Sequence, residues 1–198
     1  MPSDALVLGF DTSAAHCAAA LLRGDVILAE CCEEMGRGQA ERLMPLLEEV
    51  LSEGNADWSD LDAIGVGIGP GNFTGIRIAV SAARGLALGL GIPAVGVDGF
   101  ESREKTGTLA AVPAPREQVY TTPPGAAPQL MPRAEAEVIA RDNGLTLVAE
   151  PTPAGLAAAI ARAAAGRYQS DTTPPAPLYL RAADAAPAKD APPSLIDG

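Results

Sequence analysis

The sequence predicts an α/β fold whose first half runs β-β-β-α-β-α-β and whose second half is a smaller, reduced lobe. Three observations carry that expectation. Short apolar runs recur at residues 5–10, 63–68 and 94–97, the length and character of strands buried on both faces. Stretches of helical periodicity separate the later runs. The composition also shifts midway: 14 of 18 prolines lie from Pro113 onward, whereas 15 of 21 glycines lie at or before Gly99.

Each element has its own signal. Residues 5–10 form the first strand. Residues 17–22 and 26–33 flank Arg23-Gly24-Asp25, a hairpin turn. Apolar side chains at Ala40, Leu43, Met44, Leu47, Val50 and Leu51 mark one face of a helix over 39–53, which Pro45 is expected to kink. Residues 63–68 (AIGVGI) are a second buried strand, and residues 69–75 a glycine-rich loop. Thr74 is a candidate N-cap for a helix from 75 to about 90, closed by Gly91 with Pro93 beyond. Residues 94–97 complete the set. An antiparallel start followed by right-handed crossovers suits a ribonuclease-H-like mixed sheet rather than an alternating, doubly wound nucleotide-binding domain.

A boundary near residues 98–107 separates a lobe over 1–104 from a second over 105–181. In the second, residues 109–112 and 117–120 read as strands, 132–143 as a helix with Gly144 at its end, and 145–149 as a strand. Thr152-Pro153 opens a helix that ends at Gly166 and is expected to pack back on the first lobe. Residues 177–181 (PLYLR) suggest a last strand or extended segment, and 182–198, rich in Ala and Pro, a disordered tail.

Charge narrows the function. Fourteen basic against 25 acidic residues give a net charge of −11, with only Lys105 and Lys189 among the lysines. A stand-alone nucleic-acid binder, which needs clustered Lys and Arg, is excluded on that balance. No uninterrupted apolar run approaches the roughly 18–20 residues of a membrane span. The N-terminus lacks a basic start and cleavage site, so a cytosolic protein is expected. Cys17, Cys31 and Cys32 have no metal-ligand spacing and read as free thiols.

Two motifs have chemical possibilities. Gly69-Pro70-Gly71-Asn72-Phe73-Thr74-Gly75, between a strand and a helix, reads either as a phosphate cradle at a helix N-terminus or as a tight turn. Its spacing matches neither a P-loop nor a dinucleotide fingerprint. Asp11-Thr12-Ser13, at a strand end, either holds a magnesium–phosphate group or closes an Asx-type turn. His16 is the only histidine, so a two-histidine zinc site is excluded, and its neighbours make a serine triad improbable. The helix over 75–90 is apolar nearly all round, with Arg77, Ser81 and Arg84 in one strip and small residues at Ser81, Gly85 and Gly89. That pattern suggests burial against another chain, with the stripe on helix 39–53 joining it. The interface residues would be Leu43, Leu47, Arg77, Val80, Ser81, Arg84, Gly85 and Leu88.

Leu8-Gly9-Phe10-Asp11-Thr12-Ser13, Arg42-Leu43-Met44-Pro45-Leu46 and, above all, GIGPGNFTGIRIAVSAARGLALGLGIP from Gly67 to Pro93 resemble the TsaB (formerly YeaZ) family. The closing PLYLR-A-x-D-A is similar to the end of many members. Gln39 departs from a histidine common in the family, and Ala114-Pro115-Arg116 from an Asp-Ala-Arg turn. The resemblance implies an actin-like fold of two ribonuclease-H-like lobes. It implies a bacterial cytoplasmic, noncatalytic scaffold in the complex that makes threonylcarbamoyladenosine on tRNA. Such a scaffold dimerises through its first-lobe helices, alone or with a catalytic TsaD-type paralogue, and a TsaE-type ATPase joins the assembly. tRNA is reached only through the complex. No cofactor is required by the scaffold itself, ATP or ADP at the complex interface being the one allowance. An older glycoprotease label fits poorly with one histidine. The alternative is an actin-like phosphotransferase binding nucleotide through Asp11, Thr12, Ser13, Gly69 and Gly71.

Overall fold

The computed structural model describes residues 4–149, 153–171 and 173–180. The chain opens with β1 (Leu6–Asp11), β2 (His16–Arg23) and β3 (Val26–Glu34), an antiparallel meander turning at Gly24. Helix α1 (Gln39–Glu53) leads to β4 (Ala63–Gly67), and α2 (Phe73–Leu90) leads to β5 (Ala94–Val97), with β4 parallel to both β1 and β5. The strand order β3-β2-β1-β4-β5 is the ribonuclease-H-like order.

Every residue of β1 is buried because both faces of this sheet are covered. Leu6, Leu8 and Phe10 point to one side, where they meet Leu43, Leu46, Leu47 and Val50 of α1 and Ala79 and Ala83 of α2. Ala5 and Val7 point to the other side. There Leu156, Ile160, Ala161 and Ala164 of α4 (Pro153–Ala165) complete a second core with Ala63, Val95 and Val97. The approach is close: a Cβ on Gly9 would stand 2.6 Å from the carbonyl oxygen of Ala157, and one on Gly65 would stand 2.9 Å from that of Ile160.

The intervening chain forms the second sheet, order β8-β7-β6-β9, from β6 (Thr108–Ala114), β7 (Gln118–Thr121), β8 (Gln129–Pro132) and β9 (Thr146–Val148). Helix α3 (Arg133–Asp142) packs on it through Ala136, against Ala111, Val119 and Met131. β8 has no counterpart in the sequence reading; a four-residue strand ending in proline carries too little alternation to be seen.

Other expectations change at the helix ends. α1 runs unbroken through Pro45. α2 begins at Phe73, and its N-cap is Asn72, whose Oδ1 accepts from the Gly75 N–H at 2.9 Å; Thr74 lies inside the helix. Gly91 closes α2 in the left-handed conformation. Residues 177–180 join no sheet, although the Leu178 N–H donates to the Ile68 carbonyl at 2.8 Å. The proposed cap Thr152, Arg181 and the tail at 182–198 lie outside the described residues. At 18 residues and a mean hydropathy of 1.3, α2 is also long and apolar enough to cross a membrane by length and composition, which a search for unbroken apolar runs does not register. Here one face of it packs on the sheet.

Arg42 on α1 clamps two carboxylates, donating to Glu33 on β3 and to Glu49 about two turns along its own helix, each through a 2.8 Å bond. Both carboxyls are thereby held below their ordinary value of 4.5, and the guanidinium is pushed up in turn. Depressed folded-state values stabilise the fold above the unfolded pKa and are lost as pH falls through the folded one. Thermal melts from about pH 6 to about pH 3 are therefore expected to show a steeper loss of stability in the wild type than in Arg42→Met. In the same assay at neutral pH, Gly9→Ala is expected to cost about 1–3 kcal/mol by overpacking against α4.

Candidate functional site

Where β1 ends, the chain must turn sharply into β2, and the residues that make the turn are Asp11, Thr12 and Ser13. All three are buried. One carboxylate oxygen of Asp11 accepts from the Ser13 N–H at 2.9 Å and from the Ser13 hydroxyl at 2.9 Å, and it lies 2.7 Å from Nε2 of His16. Thr12 donates its hydroxyl to the Gly75 carbonyl at 2.7 Å. The hydroxyls and one carboxylate oxygen are thus engaged within the fold, the Asx-type arrangement.

The glycine loop presses directly onto this turn. The Asn72 N–H donates to the Ser13 carbonyl at 2.6 Å, and a Cβ on Gly75 would fall 1.9 Å from the Thr12 carbonyl oxygen. A Cβ on Gly71 would fall 2.4 Å from the carbonyl oxygen of Ser13. The glycines are therefore required by contact with the chain itself. Gly69, at φ 95°, accepts from the Gly99 N–H at 2.8 Å, tying the loop to the end of the first sheet. The structure brings Asp11, Thr12, Ser13, Gly69 and Gly71 together, as a docked turn and loop.

The sequence does not place two participants at this turn, offering His16 only as an improbable serine-triad member and Arg103 not at all. His16 sits two residues before Ala18, the register partner of Asp11, so the antiparallel pairing returns its ring to the carboxylate. Arg103 comes from the junction between the sheets, where its guanidinium donates to the Gly99 carbonyl at 2.9 Å and the Ala149 carbonyl at 3.4 Å. It shares a small internal cavity of about 10 Å³ with Asp11 and Ser13. Burial pushes the Arg103 pKa down, and the Asp11 charge opposes that shift. No local sequence pattern announces either residue.

Outward from the turn opens a cleft of about 460 Å³ between the first sheet's loops and the second sheet, reaching from Ser13, Gln39 and Asn72 to Pro113 and Tyr120. None of the described residues lining it is charged, so a phosphate there would meet no cation on the walls. Among the described residues no group of three or more His, Cys, Asp or Glu side chains is placed to hold a metal ion. The three cysteines are free, and burial pushes the Cys17 thiol up to about 12, which keeps it protonated and unreactive.

The helix face divides the remaining candidates. Leu43 and Leu47, 1% and 0% exposed, belong to the core beneath α1 and cannot meet a partner, and Val80 is buried as well. A one-face apolar stripe shows which residues are covered without showing by what. On α2, Arg77, Ser81, Arg84, Gly85 and Leu88 do face outward, and Leu88 is 87% exposed. Among the described residues, a Cβ on Gly85 or Gly89 would meet nothing within 4 Å. At the N-terminal end of this face Phe73 stacks on Tyr179 with ring centroids 4.9 Å apart. Arg77 lies over the Phe73 ring at 4.2 Å and donates to the Tyr179 hydroxyl at 3.1 Å.

Comparison with known proteins bears on this arrangement. Residues 32–122 match the family described as TsaD, tRNA N6-adenosine threonylcarbamoyltransferase. An uncharacterized protein of Mycobacterium tuberculosis is 33% identical over 204 aligned residues, covering 91% of this chain and 94% of that one. The Escherichia coli tRNA threonylcarbamoyladenosine biosynthesis protein TsaB is 32% identical over 58% of this chain and 52% of its own length. The Bacillus subtilis TsaB is 36% identical over 58% and 53%. The chain thus spans about half the length of the relatives that carry that name. Among solved structures, YeaZ from Pseudomonas aeruginosa superposes with a TM-score of 0.66 at 25% identity, covering 89% of this chain and 100% of that one.

Removing the Asp11 carboxylate orphans buried donors at Ser13 and His16. Asp11→Ala is expected to lower the unfolding free energy by about 3 kcal/mol in urea denaturation, with or without magnesium and ATP present.

Proposed function

The chain belongs to the TsaB (YeaZ) family, and from that we propose that it is a noncatalytic subunit of the cytoplasmic machinery that forms threonylcarbamoyladenosine on tRNA. It acts by docking a TsaD-type catalytic paralogue, in an assembly that a TsaE-type ATPase also joins. The observation that carries this reading is the uncovered face of α2. A helix with Leu88 in open solvent and glycines at 85 and 89 offers apolar surface and close backbone approach to a partner helix. The turn at Asp11 supports the same division of labour, since its polar groups serve the fold. With a net charge of −11, the chain leaves RNA contact to a more basic partner.

A second reading has one observation in its favour. The cleft of about 460 Å³ lies at the N-terminal end of α2, where a helix dipole favours anions. Under that reading the chain is a nucleotide-binding phosphotransferase, and calorimetry with ATP and magnesium returns micromolar binding that Asp11→Ala abolishes. Under the scaffold reading the isolated chain gives no such signal.

The decisive assay is reconstitution of tRNA threonylcarbamoylation with the catalytic paralogue, with and without this chain. The chain is expected to be required. Gly85→Arg, placed where a side chain meets open space, is expected to leave the melting temperature of the isolated chain within a degree or so while lowering reconstituted activity roughly tenfold or more. Full activity with Gly85→Arg at wild-type concentration would overturn the docking assignment.

A further inference from the structure

The cleft beside the Asp11 turn has walls unlike those of an anion site. Its described lining residues carry no charge, and they include the rings of Phe73, Tyr120 and Tyr179 with prolines at 70, 113 and 115. At about 460 Å³ it has the size of a ligand pocket. Phe73 and Tyr179 stack on each other, yet at 36% and 41% exposed they leave much of their ring surface uncovered.

Polar groups on the same walls lack partners. Tyr120 is 8% exposed, and its hydroxyl makes no hydrogen bond among the described residues. A buried tyrosine ordinarily satisfies that group. Asn72 spends its side-chain oxygen on the Gly75 N–H, and its amide N–H groups have no acceptor among the described residues. The cleft therefore offers apolar rings and hydrogen-bond donors without charge. An uncharged, proline-rich peptide matches that set. Polyproline II backbone makes no internal hydrogen bonds, so its carbonyls stay available, and such segments dock in aromatic-lined grooves.

One such segment sets out from the cleft itself. Leu178, Tyr179 and Leu180 line the wall, and residues 181–198 continue from there. Their longest stretch without a charge is Ala191-Pro192-Pro193-Ser194-Leu195-Ile196, between Asp190 and Asp197. Pro192 stands twelve positions beyond Leu180, a span of up to about 37 Å in polyproline II geometry, so the stretch can reach any part of the cleft.

We propose that residues 191–196 seat in this cleft as an intramolecular plug. Pro192 and Pro193 lie against the rings of Phe73, Tyr120 and Tyr179, and backbone carbonyls of the segment accept from the Tyr120 hydroxyl and the Asn72 amide. Asp190 and Asp197 remain outside the uncharged walls. Attachment at Leu180 holds the segment at an effective concentration in the millimolar range, so weak contacts suffice to fill the cleft. The plug covers the open rings, and other molecules enter only when it leaves. The inference does not depend on what covers Leu88 and the glycine row of α2.

NMR relaxation and a peptide titration on the full chain test it. In the wild type the backbone order parameters of Ser194 and Ile196 are expected near about 0.8. In the full chain carrying Pro192→Asp, Pro193→Asp and Leu195→Asp, which sets carboxylates against uncharged walls, they are expected to fall below about 0.6. A synthetic peptide of residues 187–198, followed by calorimetry, is expected to bind this triple variant at least about tenfold more tightly than the wild type, whose cleft is already filled. Adding Tyr120→Phe to the triple variant keeps the ring and removes the hydroxyl, and is expected to weaken the peptide about three- to tenfold. Order parameters as low in the wild type as in the triple variant, or a peptide that binds neither chain, would overturn the proposal. So would a peptide affinity indifferent to Tyr120→Phe. Equal binding to wild type and triple variant would also overturn it, leaving the cleft to a proline-rich segment of another protein.

Discussion

The first sheet has to be covered on both faces, and that constraint organises the molecule. β1 is buried along its whole length, with large side chains on one side and Ala5, Val7 and Gly9 on the other. The chain supplies the first cover locally, through α1 and α2. The second cover, α4, comes only after the chain has built a complete second sheet, so that sheet is an insertion between β5 and the helix that finishes the first core. Glycines at 9 and 65 and the alanines of α4 bring helix and sheet backbones close together. After α4, the chain continues along the strand ends to Leu178 and sets Tyr179 against α2.

The same economy governs the turn at the end of β1. A carboxylate, two hydroxyls, a histidine and a glycine loop make a set that could serve phosphate chemistry, yet their hydrogen bonds close on one another. Arg103, held by carbonyls from the ends of both sheets, places a positive charge near the buried Asp11. What remains facing the cleft is uncharged. The result is a junction that fixes the two sheets relative to a common turn.

Much of this was legible in the residues, and the gaps have physical causes. The strands of the first sheet stood out because burial on both faces forces uninterrupted apolar runs, and Gly91 marked the end of α2 because a left-handed cap selects glycine. The sequence puts the start of α2 two residues late because Asn72 and Thr74 are both competent caps, and only the loop geometry chooses between them. Leu43 and Leu47 read as interface from the sequence because periodicity separates a helix's two faces without saying which one the same chain covers. β8 was too short to show, and the Asp11–His16 pair depends on strand register, which no local motif encodes.

An apolar helix left open to water ties the fate of this chain to its stoichiometry. Leu88 and the glycine row of α2 form apolar surface that no described residue covers. If a partner covers this face, as proposed, copies made in excess of that partner leave it open to chaperones and proteases, and synthesis of the two has to be matched in amount. On that reading the open face of α2 is a gauge of dosage as well as a place to bind.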